Sequence, residues 1–176
     1  ENHALLSHTG QHQWYTVEGG SQAYVARLEA AMRAKGVSIR LDAPTAGVRR
    51  LPQGVEVRAE CGEWERFDHV ILATHSDDSL RLLADADAVE RSTLGAIRYQ
   101  PNDIVLHSDT SIMPRRRKTW ASWVYTEDAN ATSERIDLTY WMKSLQPIPM
   151  DDLHFVTLNT KRDIKQELIY DQVTLR

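Results

Sequence analysis

Val48-Arg49-Arg50-Leu51-Pro52-Gln53-Gly54-Val55-Glu56-Val57-Arg58-Ala59-Glu60-Cys61-Gly62-Glu63-Trp64-Glu65-Arg66-Phe67 is the stretch that decides how this chain is read. Pro52-Gln53-Gly54 is a turn signal, because proline presets one backbone angle and glycine accepts the left-handed one. Val55, Val57 and Ala59 alternate with Glu56 and Arg58, the period-two pattern of a half-buried strand. Glu60-Cys61-Gly62 turns the chain again, and Glu63 to Phe67 returns. Short strands joined by tight turns predict an antiparallel meander.

Outward from the meander, toward the carboxyl end, Asp68 precedes His69-Val70-Ile71-Leu72-Ala73. That run is apolar on both faces, which predicts a buried, parallel strand. Thr74-His75-Ser76-Asp77 ends it, with Ser76 or Asp77 as cap of a helix carrying Leu80, Leu82 and Leu83. Toward the amino end, Ala43-Pro44-Thr45-Ala46-Gly47 reads as a turn, and Val37, Ile39 and Leu41 share one face of a further strand. A helix is expected from Ser21 as N-cap, with Tyr24, Val25, Leu28, Ala31 and Met32 at helical spacing and Gly36 as the stop after Lys35. Residues 1–18 are polar and His-rich, either a loop or a short helical entry.

Beyond about residue 95 the texture changes to longer strands, placed at Ile97–His107 (interrupted at Pro101), Thr119–Thr126, Arg135–Met142 and Leu153–Asn159. Glu127 to Glu134 is a polar loop that closes a long hairpin between two of them. The expected fold class is therefore α+β: an α/β segment with a meander over residues 1–93, then a mainly antiparallel sheet over residues 94–176.

The 21 basic and 25 acidic side chains leave a net charge of −4, so overall charge makes no case for nucleic acid or for an anionic membrane. Apolar runs reach only a few residues, far short of the ~20 that a transmembrane helix needs. Cys61 is the only cysteine, which rules out an intrachain disulfide and fits a reducing, cytoplasmic setting. Glu1-Asn2-His3-Ala4 does not resemble a signal peptide, and Asp171-Gln172-Val173-Thr174-Leu175-Arg176 lies within a strand-like run, so both ends read as cuts within a larger fold.

Few side chains advertise chemistry. Gly-x-Ser-x-Gly is absent, and Cys61 sits in a turn without an activating neighbour, so nucleophilic catalysis has no support and no catalytic residue is assigned. His8 and His12 are spaced i, i+4, but Thr9-Gly10-Gln11 interrupts any helix between them, and no metal site is expected. His75 follows a strand, where α/β proteins place ligands. It reads equally as a donor to a phosphate or as a histidine bonded to the next turn. Gly19 and Gly20 either form a loop before a helix or let backbone approach a ligand closely. Arg115-Arg116-Arg117-Lys118 is the one basic cluster: a solvated loop, or a contact for a lipid phosphate or an acidic partner, with nucleic acid the poorer reading. Trp120, Trp123, Tyr125, Tyr140 and Trp141 fall on the predicted sheet, where aromatics most often make core or cross-strand pairs.

The order Gly-Gly, helix, Gly36-Val37-Ser38-Ile39, Pro44-Thr45-Ala46-Gly47-Val48, meander, Phe67-Asp68-His69-Val70-Ile71-Leu72-Ala73-Thr74-His75 resembles one segment of the FAD-binding domain of flavin amine oxidases and related desaturases. A bacterial subgroup described as NAD/FAD-binding proteins, found near cyclopropane-fatty-acid synthases, is similar over nearly the whole chain. Trp14 to Ser21, Ala73 to Asp77, Tyr99-Gln100-Pro101-Asn102, Leu106 to Asp109, Met113 to Arg116, Trp120 to Trp123, Thr139 to Met142 and Val156 to Asn159 carry that likeness.

The resemblance implies an FAD-dependent oxidoreductase, with Gly19, Gly20, Thr45, Thr74 and His75 on the cofactor. Thr45 stands at the adenine-facing position, where the family uses backbone groups. The resemblance also implies that one face of the second sheet roofs the substrate cavity, with Trp120, Trp123, Tyr140 and Trp141 against an apolar substrate of lipid or fatty-acyl type. The family's Gly-x-Gly-x-x-Gly phosphate cradle is absent here, as is its flavin-closing carboxyl segment. This stretch alone is therefore expected to bind FAD weakly or not at all, and its apolar run Val70–Ala73 to seek cover by self-association into a homo-oligomer. The rival reading is a non-catalytic module derived from a flavoprotein, binding itself or a partner.

Overall fold

A computed structural model describes residue 13 and residues 15–127, 136–148 and 153–176. It contains helices and two antiparallel sheets, the α+β class expected. The backbone forms two compact units, one of Val37–Gln100 and one of Glu1–Gly36 with Pro101–Arg176.

In the second of these, helix α1 spans Gly20–Ala34. It starts one residue before Ser21, which lies inside the first turn instead of capping it. Gly19 takes the cap position with φ 81°, Gly20 follows with φ 72°, and no side chain caps the helix. A Cβ on Gly19 would stand 2.9 Å from that of Ala23, so only glycine fits the entry. The helix ends as expected: Gly36 is left-handed at φ 82°, and its N–H donates to the Arg33 carbonyl at 2.9 Å. The stripe Tyr24, Val25 and Leu28 is present but stays exposed.

In the unit Val37–Gln100, the meander forms as its turns dictate. Strand β1 (Thr45–Arg50), β2 (Val55–Ala59) and β3 (Trp64–Phe67) pair antiparallel in that order. The first hairpin closes with the Leu51 N–H on the Gly54 carbonyl at 3.1 Å. Gly54 has φ 89°, and a Cβ there would reach within 2.5 Å of the Phe67 carbonyl oxygen. β1 takes in Thr45–Gly47, which had read as turn, with a bulge between Thr45 and Gly47. Arg49 and Arg58 lie over the ring of Trp64, 4.3 and 5.0 Å from its centroid.

Two expected strands do not form. Val37–Leu41 has no ladder, and both Val37 and Leu41 are exposed. His69–Ala73 has none either, and Ile71 is 92% exposed. A parallel strand is defined by neighbours on its two edges, and an apolar run supplies the capacity for burial but not the partner. Helix α2 (Ser76–Leu82) begins at Ser76 itself, after His75, without a side-chain cap. Ser76 Oγ instead donates to the Leu94 carbonyl at 2.9 Å. Helix α3 (Ala88–Gly95), which the periodicity did not suggest, opens on a capping box made by Asp87 and Glu90. Val48, Leu82 and Ala86 are the buried apolar residues here.

The five-stranded sheet runs β5-β6-β7-β4-β8, antiparallel throughout. β4 is Asn102–His107, β5 Trp123–Thr126, β6 Asp137–Trp141, β7 Phe155–Leu158 and β8 Ile169–Leu175. β4 starts after Pro101, which lacks the N–H that a ladder needs. β5 starts later than expected because Arg117–Thr119 forms a 3₁₀ turn. A short helix α4, Met142–Leu145, follows β6. β8 takes in the strand-like run expected at the carboxyl end and begins two residues before Asp171. Residues 128–134 of the expected hairpin loop lie outside the described residues, as does residue 135 of the strand expected after it, while β5 and β6 pair as a hairpin requires.

Register separates the two faces of this sheet. On one face Tyr125, Leu138, Leu158, Ile104 and Val173 stand opposite one another across all five strands, and Trp123, Tyr140, Val156 and Leu106 form the neighbouring row, which ends on Asp171 in β8. None of these side chains is fully buried. On the other face Thr139, Thr157, Phe155 and His107 are wholly buried. Ile112 and Met113, between β4 and β5, are the other buried apolar residues among the described residues of this unit. No helix among the described residues is long and apolar enough to cross a membrane.

Candidate functional site

β1 is an outer strand of the meander, and beside it lies an open cleft of about 340 Å³. Val48, Val57, Val70, Leu72 and Leu82 form its apolar wall, and Thr45, Thr74, Asp78 and Arg81 its polar one. The volume is at the lower end of what small-molecule sites offer, enough for one end of a large cofactor. The bulge leaves Ala46 without a partner on β2. Sequence reasoning missed that residue, and nothing in Ala43–Gly47 signals a bulge. Arg81 and Asp78 stand at the cleft as an ion pair at 2.9 Å.

Thr45 and Thr74, predicted from the sequence, thus meet in one cleft. Thr74 Oγ1 shares a hydrogen bond of 2.7 Å with Ser79 Oγ. His75 stacks flat on Tyr99, with ring centroids 4.1 Å apart and planes 8° from parallel. Its carbonyl accepts the Ser79 N–H at 2.8 Å. The Tyr99 hydroxyl accepts the Ser76 N–H at 2.9 Å, so Tyr99 fixes both the ring and the turn after it. Nitrogen and oxygen atoms of His75, Asp77 and Asp78 lie within 4.8 Å of one another, the one such group of metal-ligand types among the described residues. The Asp78 charge is already met by Arg81.

Gly19 and Gly20 belong to the other unit, at the uncapped start of α1. No acidic residue lies in that first turn, and a Cβ on Gly20 would point into open space. The Gly20 N–H is bonded to the Val17 carbonyl at 2.9 Å, so the N–H groups of the turn that follows are what such a helix start offers an anion.

The four aromatics split by face. Trp123 and Tyr140 are cross-strand partners on the open apolar face, and Trp123 is 43% exposed. Trp120 and Trp141 pack edge to face at 5.4 Å on the other side, and Trp120 also meets Phe155 at 5.6 Å. Trp120 Nε1 donates to the Pro114 carbonyl at 2.8 Å. Trp123 and Tyr140 can meet a ligand from the open side, whereas Trp120 and Trp141 hold the sheet to the chain beneath it. Tyr125, 58% exposed, extends the open face.

Beneath the sheet, His107 is fully buried with both ring nitrogens engaged. The Asp109 N–H donates to Nδ1 at 3.0 Å, so the proton is on Nε2, which meets Thr157 Oγ1 at 2.8 Å. Thr157 in turn meets Thr139 Oγ1 at 2.9 Å. Burial holds the His107 pKa below the usual imidazole value, with the Asp109 carboxylate opposing and Arg162 assisting. Burial tends to raise the Asp109 pKa, but N–H bonds from Lys165 and Ser111 bring it below the ordinary carboxyl value. These groups are polar cement within the packed side of the sheet.

The family model for flavin containing amine oxidoreductase matches residues 2–105. No curated protein matches the chain. The match runs from before α1 through the meander and its cleft to β4, and since it takes in more than half of the sequence, the chain belongs to the flavin-containing amine oxidoreductase family.

Proposed function

We propose that the chain is part of an FAD-dependent oxidoreductase acting on an apolar substrate of lipid or fatty-acyl type. In this reading residues 1–93 serve the cofactor side and residues 94–176 the substrate side. The observation that carries the substrate class is the sheet face on which Tyr125, Leu138, Leu158, Ile104 and Val173 line up over all five strands. Successive strands lie about 4.8 Å apart, so the row extends roughly 19 Å without a charged group. A long hydrocarbon chain fits such a surface, and a small polar amine does not. Trp123 and Tyr140 are the side chains we assign to the substrate.

The cleft beside β1 suits the flat, weakly polar adenine end of the cofactor, with Thr45 and Thr74 at its polar positions. Gly19 and Gly20 at the start of α1 suit a phosphate, and His75, held by Tyr99, presents its remaining ring atoms at the end of the cleft segment. A bound flavin would supply a hydride acceptor for a substrate C–H bond, and the residues named here would bind and orient the two. Without a Gly-x-Gly-x-x-Gly cradle, these residues alone hold FAD weakly. The setting is cytoplasmic.

The visible spectrum tests the flavin assignment. Full-length protein purified with flavin absorbance supports it, and a colourless protein that takes up no added FAD overturns it. Trp123→Ala and Tyr140→Ala should weaken binding of a long-chain acyl ligand while the protein stays folded. A second reading, a non-catalytic module that binds itself, is favoured by the exposure of Ile71 and Val70 in the cleft segment.

A further inference from the structure

The basic run Arg115-Arg116-Arg117-Lys118 is unused by the site described above, and the fold presents it on an anchored loop. Ile112 and Met113 are buried just before it, and the Ile112 carbonyl accepts from Arg162 Nη1 at 2.6 Å. The base of the loop is closed by Trp120 Nε1 on the Pro114 carbonyl at 2.8 Å. Within it, the Thr119 hydroxyl and N–H both donate to the Arg116 carbonyl, at 2.7 and 2.9 Å. Arg117 lies 5.3 Å from the Trp120 ring centroid. All four cations are exposed, and among the described residues no carboxylate pairs with any of them.

This loop feeds directly into β5, an outer strand of the sheet, which carries the exposed Tyr125. Cations followed by an outward-facing tyrosine are the chemistry that settles at a lipid–water boundary: the charges meet phosphates and the ring enters the headgroup layer. The net charge of −4 does not oppose this, because fields beyond about 8 Å are screened at physiological salt. A nucleic acid would need stacking platforms interleaved with the charges, and here the aromatics follow on a separate strand.

We propose that Arg115, Arg116 and Lys118, with Tyr125 on the edge strand, form a docking surface for an anionic phospholipid bilayer. Docking there brings the chain to the phase in which an apolar substrate is dissolved, and in that respect it rests on the function proposed above. Attachment itself requires no flavin, so the two readings fail separately. A colourless protein that binds vesicles removes the flavin assignment alone, and a yellow protein that ignores them removes this one alone.

The test is co-sedimentation of the chain with phosphatidylcholine vesicles, with and without phosphatidylserine, at low and physiological salt. The expected result is binding that needs phosphatidylserine and weakens as salt rises. Each basic residue near such a surface is worth about fivefold in partitioning, so Arg115→Gln, Arg116→Gln and Lys118→Gln together should cost about a hundredfold. Arg117 is left in place because it packs on Trp120. Tyr125→Ala should lower binding a few-fold at either salt. Circular dichroism of each variant separates lost binding from lost folding, and the salt response of the unaltered chain stands independent of any variant. No binding to phosphatidylserine vesicles, equal binding to phosphatidylcholine alone, or undiminished binding by a folded triple variant overturns the proposal. Capture by soluble polyglutamate or RNA without vesicle binding also overturns it and points to an acidic macromolecule.

Discussion

His107 holds a proton on one nitrogen and a lone pair on the other, and each is used. The Asp109 N–H can bond only to an unprotonated Nδ1, so a second proton on the ring would break that bond inside a buried site. Burial, the largest influence, and the Arg162 charge both keep the ring neutral, and only the Asp109 carboxylate opposes them. The folded pKa is thus below that of the unfolded chain, near 6.5. The unfolded state then binds the proton first, so stability is full above about pH 6.5 and declines as the pH falls. His107→Asn keeps an acceptor for Asp109, loses the bond to Thr157, and should lower stability by about 2 kcal/mol while flattening that decline. Urea midpoints measured from pH 7.5 down to 5 check both effects, and an unchanged slope in the variant would assign the decline elsewhere. Asp109 acts in a lower window, because its folded pKa is also depressed: its contribution is present above about pH 4 and lost below. Thr157→Val removes a partner from both His107 and Thr139 and should cost about 2–3 kcal/mol, whereas Thr139→Val leaves one bond unmade and should cost about 1 kcal/mol.

Elements whose signals are local formed where the sequence placed them. The meander follows from Pro52-Gln53-Gly54 and from the alternation in Val55–Ala59, and α1 stops at Gly36 because a left-handed residue ends it. Helix α3 was equally local: Asp87 accepts the Glu90 N–H at 2.8 Å while Glu90 accepts the Asp87 N–H at 2.9 Å. The acidic pair three residues apart was visible in the sequence, but Val89 and Leu94 set no helical stripe, so periodicity passed over it. Asp87→Ala should cost about 1 kcal/mol of stability, and a thermal melt that does not move would mean that α3 is held by its packing on α2 instead. Elements that depend on distant partners were misread. Val37–Leu41 and His69–Ala73 have strand composition, yet no ladder reaches them. β8 showed only as a strand-like run at the carboxyl end, because Asp171 and Gln172 break its apolar pattern, and what makes it a strand of this sheet is pairing with β4 across more than sixty residues of chain. The site divides in the same way. Strand alternation already put Trp120 and Trp123 on opposite faces, but only the register through β6 and β7 shows which face is open.

At the scale of the whole molecule, the open question is what exposed apolar chain does in solution. In the unit Val37–Gln100, Val37, Leu41, Val70 and Ile71 are exposed, while only Val48, Leu82 and Ala86 are buried among its described apolar residues. Burying a large aliphatic side chain is worth about 1.5–3 kcal/mol, so the four residues from each of two copies offer on the order of 10 kcal/mol. Association costs a comparable amount in lost translation and rotation. The balance favours reversible, concentration-dependent self-association over a permanent dimer. Sedimentation velocity across a range of concentrations should therefore show a rising average mass. Ile71→Lys is the discriminating variant. The side chain is 92% exposed, so the melting temperature should stay within a degree or two, while an ammonium at the centre of the contact opposes pairing. A variant that sediments as monomer at concentrations where the unaltered chain associates places the contact at Val70–Ala73. A monodisperse monomer for the unaltered chain at every concentration eliminates the self-binding reading, leaving these side chains to a partner of different sequence.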